Sequence, residues 1–280
     1  MTEYLYPYLT RAGLGNELFP YLRALEAAES NSAELVYPRW SRFRPGPLLR
    51  GERDRRQYGL LFTPPRLRER LLRQGIEASL FLGRVLRRAS SVTVFAGMEG
   101  YYEPFSHPGP WFRDRLREVA RPGVIGEPPS GPYVSVHLRL GDFTPPTAGE
   151  RVTENNESTP IGWFAARFGE IQTALPGIPI ILSSDGTDAQ LEQLLRLPGV
   201  TRSSARNALD EMVLLSHSIG MLGSRSTFTS WGAFLGDVPL LVMTGGNAYR
   251  PHQQVWESGI DSGSNEWLQS VVARLETTQR

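Results

Sequence analysis

Residues Tyr133 to Phe143 read YVSVHLRLGDF. Tyr133, Val134, Ser135 and Val136 have the alternating, β-branched character of a strand, and they run straight into His137, Arg139, Gly141 and Asp142. In open α/β sheets ligands bind in the crevice outside the strand carboxyl ends, so a buried strand that ends in polar groups is a candidate site. The planar fork of Arg139 matches two phosphate oxygens, and Gly141 lets the backbone approach closely. His137 alternates with Arg139, so the two share a face if the strand continues through them. Asp142 can orient Arg139 or cap a following turn. A structural reading stands beside this one: Arg139 and Asp142 as a buried strand-end ion pair, with His137 a satisfied core histidine.

Downstream, the polar loop Thr144 to Thr159 carries Glu150, Glu154 and Glu157, and Pro160 opens a helix through Ile161, Phe164, Phe168 and Ile171. Pro179 to Leu182, PIIL, is a buried strand ending in Ser183-Ser184-Asp185-Gly186. A helix over Ala189 to Leu197, a short strand at Val200 and an apolar helix from Asp210 follow. Ile219 to Leu222 is strand-like and leads into the polar stretch Gly223 to Gly232; Pro239 to Met243 is one more strand and Asn265 to Leu275 a final amphipathic helix. Polar clusters therefore follow three strands, at His137–Asp142, Ser183–Asp185 and Ser226–Thr229. If those strands are parallel neighbours, the clusters line one crevice.

Upstream the same grammar holds. Tyr4 to Leu9 is a short strand whose Pro7 suits an edge or bulge. Gly13-Leu14-Gly15-Asn16 then precedes Leu18, Phe19, Leu22 and Leu25 at helical spacing. Strand, glycine turn and helix N-terminus make a candidate anion cradle, and a turn that simply needs positive φ reads from the same glycines. Ala33 to Tyr37 is a second strand. Pro38 to Pro65 is an Arg/Pro-rich loop whose basic run either meets an anionic ligand or pairs with its own Glu52 and Asp54. Leu67 to Leu72 and Leu80 to Leu86 suggest two helices, Ser91 to Ala96 a strand ending in the cluster Gly97 to Glu103, and Trp111 to Ala120 a helix. Four prolines between Pro122 and Pro132 mark a boundary, giving domains 1–125 and 126–280.

Composition excludes more than it selects. The chain has 280 residues, a net charge of +1, 40% hydrophobic and 21% charged residues, which describes a globular protein with no bias toward nucleic acid or membrane surfaces. It has no cysteine, which removes disulfides, thiolate nucleophiles and cysteine-bound metals. All 30 basic residues are arginine, so a Walker-type lysine and Schiff-base chemistry are excluded as well. No apolar run approaches the roughly 20 residues of a membrane span. The N-terminal MTEYLYPYLTRAG lacks the pattern of a signal peptide, and a cytoplasmic protein is the expectation.

Several of these motifs, in order along nearly the whole chain, resemble the fucosyltransferases of the bacterial and animal α-1,2 type (glycosyltransferase family 11), and more distantly the α-1,6 and protein O-fucosyltransferases. The HxRRGD signature of those enzymes stands here as His137-Leu138-Arg139-Leu140-Gly141-Asp142. Their GGLGNQMFQYA is similar to Ala12 to Tyr21, GYWQSEKYF to Gly100 through Phe112, FSDD loosely to Leu182-Ser183-Ser184-Asp185, and NSSFSWWGAWL to Arg225 through Leu235. Two departures are plain: Leu140 replaces the second signature arginine and Glu17 the family glutamine.

The resemblance implies a GT-B fold, α/β with two Rossmann-like domains facing a cleft. The first domain would shape the acceptor site and the second bind a GDP-sugar, with the last helix a candidate to pack back on the first domain. Carried over by position, Arg139 would hold the β-phosphate, and His137 and Asp185 would face the guanine. Ser226, Thr227 and Phe228 would meet the diphosphate, and Gly15 and Asn16 would reach across the cleft to the diphosphate or sugar. The implied reaction is an inverting, metal-independent transfer of fucose or a related sugar to a hydroxyl of a glycan or small molecule. It needs no cofactor beyond the GDP-fucose-type donor substrate. Arg139 would be catalytic, and the carboxylate that takes the acceptor proton would be Asp142 or one of Glu103, Glu150 and Glu154. The alternative is a nucleotide-sugar-binding module without turnover that acts as a regulator or partner.

Overall fold

The structure is a computed structural model that describes residues 2–10, 12–40, 57–86, 92–141, 143, 157–245 and 249–278. Its first half runs β1 (Tyr4–Pro7), α1 (Leu14–Asn31), β2 (Glu34–Leu35), a 3₁₀ turn (Tyr58–Leu60), α2 (Leu67–Leu86), β3 (Val92–Phe95) and α3 (Gly109–Val119). The three strands form a parallel sheet in the order β2-β1-β3. Strand alternation sends Leu5 toward Ala24 and Ala28 of α1 and Tyr6 toward Ile76 of α2, so the sheet is covered on both faces. Where two helices are expected over 67–72 and 80–86, the chain forms one. Leu72, Ile76 and Leu80 continue a single stripe over β1, while Gly75 lies on the exposed side with nothing within 4 Å of its would-be Cβ.

The second half runs β4 (Val134–Leu138), α4 (Ile161–Ala174), β5 (Ile180–Ser184), α5 (Asp188–Leu195) and β6 (Val200–Arg202). It continues with α6 (Ala208–Ser216), β7 (Gly220–Gly223), α7 (Thr227–Phe234), β8 (Leu240–Met243), β9 (Val255–Ser258) and α8 (Asn265–Thr278). The strands form a six-stranded parallel sheet in the order β6-β5-β4-β7-β8-β9. This is the doubly wound order, and its winding reverses between β4 and β7. All five residues of β4 are buried, and Val134, Val136 and Leu138 belong to one core with Trp163, Phe164 and Phe168 of α4. β9 has no counterpart in the sequence reading, because VWES is short and charged and sits at the sheet edge.

The last helix packs on the second sheet. Trp267, Leu268 and Val271 of α8 join the core of the second sheet, and the Trp267 indole donates to Pro239 O at 3.0 Å. Gly220 permits that packing, since a Cβ there would stand 2.5 Å from Val271. Arg274, toward the far end of α8, is near enough to Arg113 of the first domain for that cation to help lower its pKa, burial being the main cause.

The two sheets are joined by a third body of apolar side chains. Leu18, Phe19, Tyr102 and Phe112 from the first half form one cluster with Leu209, Met212, Trp231 and Phe234 from α6 and α7. At Gly109 the two halves touch so closely that a Cβ would overlap Phe234 O at 1.6 Å. Among the described residues no helix is long and apolar enough to cross a membrane.

Candidate functional site

Register places the site. His137 pairs with Ser183 of β5 on one side and Gly223 of β7 on the other, so the three polar clusters leave adjacent parallel strands at the same level. They open onto a cavity of about 230 Å³ whose walls include His137, Arg139, Ser184, Asp185, Ser226, Thr227 and Phe228 from the second half. Gly13, Leu14, Gly15, Asn16 and Tyr58 of the first half close it from the opposite side. Gly15, Asn16, His137, Arg139, Asp185, Ser226, Thr227 and Phe228, the described residues expected at the donor, all line this one cavity. Asp142, Glu150 and Glu154 lie outside the described residues, as do Glu52 and Asp54. Glu103 is exposed and is not part of the cavity wall.

Arg139 is paired with a carboxylate from the neighbouring strand. Its Nη1 lies 2.6 Å from Asp185 Oδ2, and Asp185 Oδ1 accepts from Leu140 N at 2.8 Å. Asp185 therefore orients Arg139 while remaining in the cavity wall. Arg139 N also donates to Ser224 Oγ at 3.0 Å, and the guanidinium carbon stands 5.7 Å from the Phe143 ring centroid. With carboxylate behind and ring alongside, the fork is held at the cavity, where the side chain retains 19% exposure. Leu140, one residue on, packs against the core of the second domain and onto Gly186, where a Cβ would meet Leu140 Cδ1 at 2.5 Å. Strand alternation thus turns position 140 away from the cavity.

His137 is 4% exposed and lies between Phe228, stacked at 4.8 Å, and Thr229 Oγ1, 2.7 Å from Nδ1. Its pKa is lowered to about 4, chiefly by burial, with the Asp185 carboxylate opposing and the Arg139 cation assisting, so the imidazole is neutral at physiological pH. Thr229 Oγ1 in turn bonds Ser226 Oγ at 3.0 Å, and Ser226 Oγ accepts from Thr229 N at 3.1 Å as the cap of α7. The histidine thereby ties the end of β4 to the start of α7.

Gly15 and Asn16 act on the protein before any ligand. Thr227 Oγ1 donates to Asn16 Oδ1 at 2.6 Å and the Trp231 indole donates to Gly15 O at 2.7 Å. A Cβ on Gly15 would lie 2.8 Å from Thr227 Oγ1 and 2.9 Å from Phe228 N, so glycine is required for close approach and not for positive φ. These bonds latch α1 directly to α7 at the cavity wall.

Further wall residues come from Arg206, Asn207, Ala208 and Glu211, at the start of α6, which the sequence reading left out. Asn207 caps α6 by accepting from Leu209 N at 3.1 Å and Asp210 N at 3.0 Å, while its Nδ2 donates to Val124 O at 2.9 Å in the linker between the halves. The strand-end rule, applied to the short strand expected at Val200, points to this segment. The first turns of α1, α6 and α7 therefore all face one space beside Arg139, where their helix dipoles favour an anion.

No family model matches the chain, and no curated protein matches it. Among solved structures it is similar to the fucosyltransferase NodZ from Bradyrhizobium, 15% identical with a TM-score of 0.51, over 89% of this chain and 97% of that one. It is also similar to ADP-heptose LPS heptosyltransferase II of E. coli, 13% identical with a TM-score of 0.49, over 100% of both chains. The fold is accordingly GT-B, two parallel α/β units with the cavity between them.

Proposed function

We propose that the protein is a glycosyltransferase that moves fucose or a related sugar from a GDP-sugar to a hydroxyl of a glycan or small-molecule acceptor. The observation that carries this reading is the seating of Arg139. A guanidinium is fixed at the switch point of a doubly wound sheet and faces a cavity onto which three helix N-termini open. The motifs resembling the α-1,2-type enzymes, found in order along the chain, support the choice of donor.

In this reading the bond between the anomeric carbon and the β-phosphate oxygen breaks and its electron pair stays on the diphosphate. Arg139 and the first-turn amides of α7 stabilise that growing charge, which gains most in the transition state. The acceptor oxygen attacks the anomeric carbon from the opposite face, inverting it, and its proton passes to a carboxylate. Neutral His137 holds β4 and α7 in register and adds no repulsion to the cation-lined site. Glu211, on the α6 wall, suits the N–H edge of a purine base. Because Leu140 faces the core, the missing second arginine leaves Arg139 as the signature cation at the phosphate.

The test is incubation with GDP-fucose and a set of galactosides, reading GDP release and glycoside product, beside calorimetric titration of GDP. Transfer supports the proposal. GDP binding without product turns the reading to the nucleotide-sugar-binding module, and absence of GDP binding overturns both.

A further inference from the structure

The loop that leaves β3 presents two adjacent tyrosines in opposite ways. Tyr102 is 6% exposed, donates to Ser230 Oγ at 2.9 Å and packs against Phe19 and Trp231 in the cluster that joins the halves. Tyr101 is 41% exposed and has φ +45°, in the left-handed region that bulky side chains avoid. Ser32 and Asp237 are the other described non-glycine residues at positive φ, and both are small. Nothing about the loop is loose around it. Gly97 and Gly100 take positive φ at 67° and 69°, Tyr101 N donates to Met98 O at 2.9 Å, and Glu103 N donates to Gly100 O at 3.0 Å. Backbone strain held in place this way, at a residue whose ring is left open to solvent, marks a position kept for its side chain.

The ring has a definite place. It meets Tyr249 edge-on at 5.1 Å and Phe19 at 5.8 Å. Tyr249 lines the cavity beside Arg139, and Phe19 follows Gly15 and Asn16 by one turn of α1. Tyr101 therefore stands on the first domain against a residue of the cavity wall. Burial and the nearby Tyr101 phenol raise the Tyr249 pKa, so its hydroxyl is a protonated donor at neutral pH.

We infer that Tyr101 and Tyr249 form an aromatic corner that receives the acceptor as a pyranoside, the Tyr101 ring covering the apolar C–H face of the sugar and the two phenols bonding its hydroxyls. This rests on the proposed transfer to a sugar hydroxyl and adds the acceptor class and the residue that selects it. A rigid, amphipathic ring with two torsions gives large contact area at small entropic cost.

The test uses saturation-transfer NMR with lactose and cellobiose as probes, on the full chain with GDP present, and GDP affinity measured on the same samples. Wild type is expected to show sugar signals that fall at least five-fold in Tyr101→Ala and persist in Tyr101→Phe, with GDP affinity unchanged in both. Equal signals in wild type and Tyr101→Ala, or no sugar signal in a wild type that binds GDP, overturn the corner and leave the donor reading intact. Failure to bind GDP with sugar signals still dependent on Tyr101 removes the donor reading alone. As a check on the strain, Tyr101→Gly is expected to melt above Tyr101→Ala while losing the sugar signal equally. A Tyr101→Gly that melts below Tyr101→Ala contradicts the strained placement on which the corner depends.

Discussion

The two α/β halves of this chain are built to different depths. The second has six parallel strands whose winding reverses beside Arg139, with helices over a core of Trp163, Phe164, Phe168 and Trp267. The first has three short strands, and its buried rings Phe19, Tyr102 and Phe112 pack on Trp231 and Phe234 of α7 in the other half. One half carries the anion site and the other covers it, and the cover is fastened by the apolar cluster between them. The cavity is thus walled by elements of both halves that one shared core holds together.

That contrast can be broken most forcefully at Trp231, fully buried at the junction. Trp231→Ala should cost about 3–5 kcal/mol, the usual range for a buried aromatic, and chemical unfolding should remain a single transition because both halves lose the same cluster. Two separated transitions in either protein would show that the halves stand alone.

Next in size is a pH effect. The folded pKa of His137 is lowered to about 4 from 6.5, so the unfolded chain binds more protons between those values. Stability from this residue is intact above pH 6.5 and is lost as pH falls toward 4, by up to roughly 3 kcal/mol. His217 and His252 are also lowered by burial and add to the same slope. The difference between wild type and His137→Gln isolates the one residue: guanidinium melts from pH 7 to 4 should show a shallower loss in the variant, and parallel curves would place the imidazole in water.

Smaller again is the latch. Gly15→Ala forces a methyl against the backbone of α7 and should cost about 1–3 kcal/mol and lower turnover. Gly13→Ala meets nothing within 4 Å and should cost less than half as much. Thermal melts and initial rates of the pair compare close approach with mere chain flexibility.

Much of the second half was legible because parallel buried strands announce themselves. PIIL and VSVHL are apolar runs ended by polar residues, and three such ends at one level are enough to locate a crevice. What the sequence did not disclose was pairing across the fold. Arg139 finds Asp185 at the end of another strand, a pairing that the spacing within its own motif does not announce. Gly15 looked like a turn residue because a GxG pattern does not distinguish positive φ from close packing by another helix. The α7 sequence TFTSWGAF is rich in strand formers and becomes helical through its Ser226 cap and the burial of Trp231 and Phe234 against the first half. Tertiary contact overrides propensity there.

The claim at the centre is that the Arg139 fork, held by Asp185, receives a diphosphate. Arg139→Lys keeps a cation for Asp185 and removes the fork, so GDP titrated calorimetrically into wild type and this variant tests it directly. Wild type should bind GDP and the variant at least ten-fold more weakly, about 1.4 kcal/mol, with its unliganded melting temperature unchanged. Equal affinity in the two proteins, or a wild type that does not bind GDP, would contradict the account.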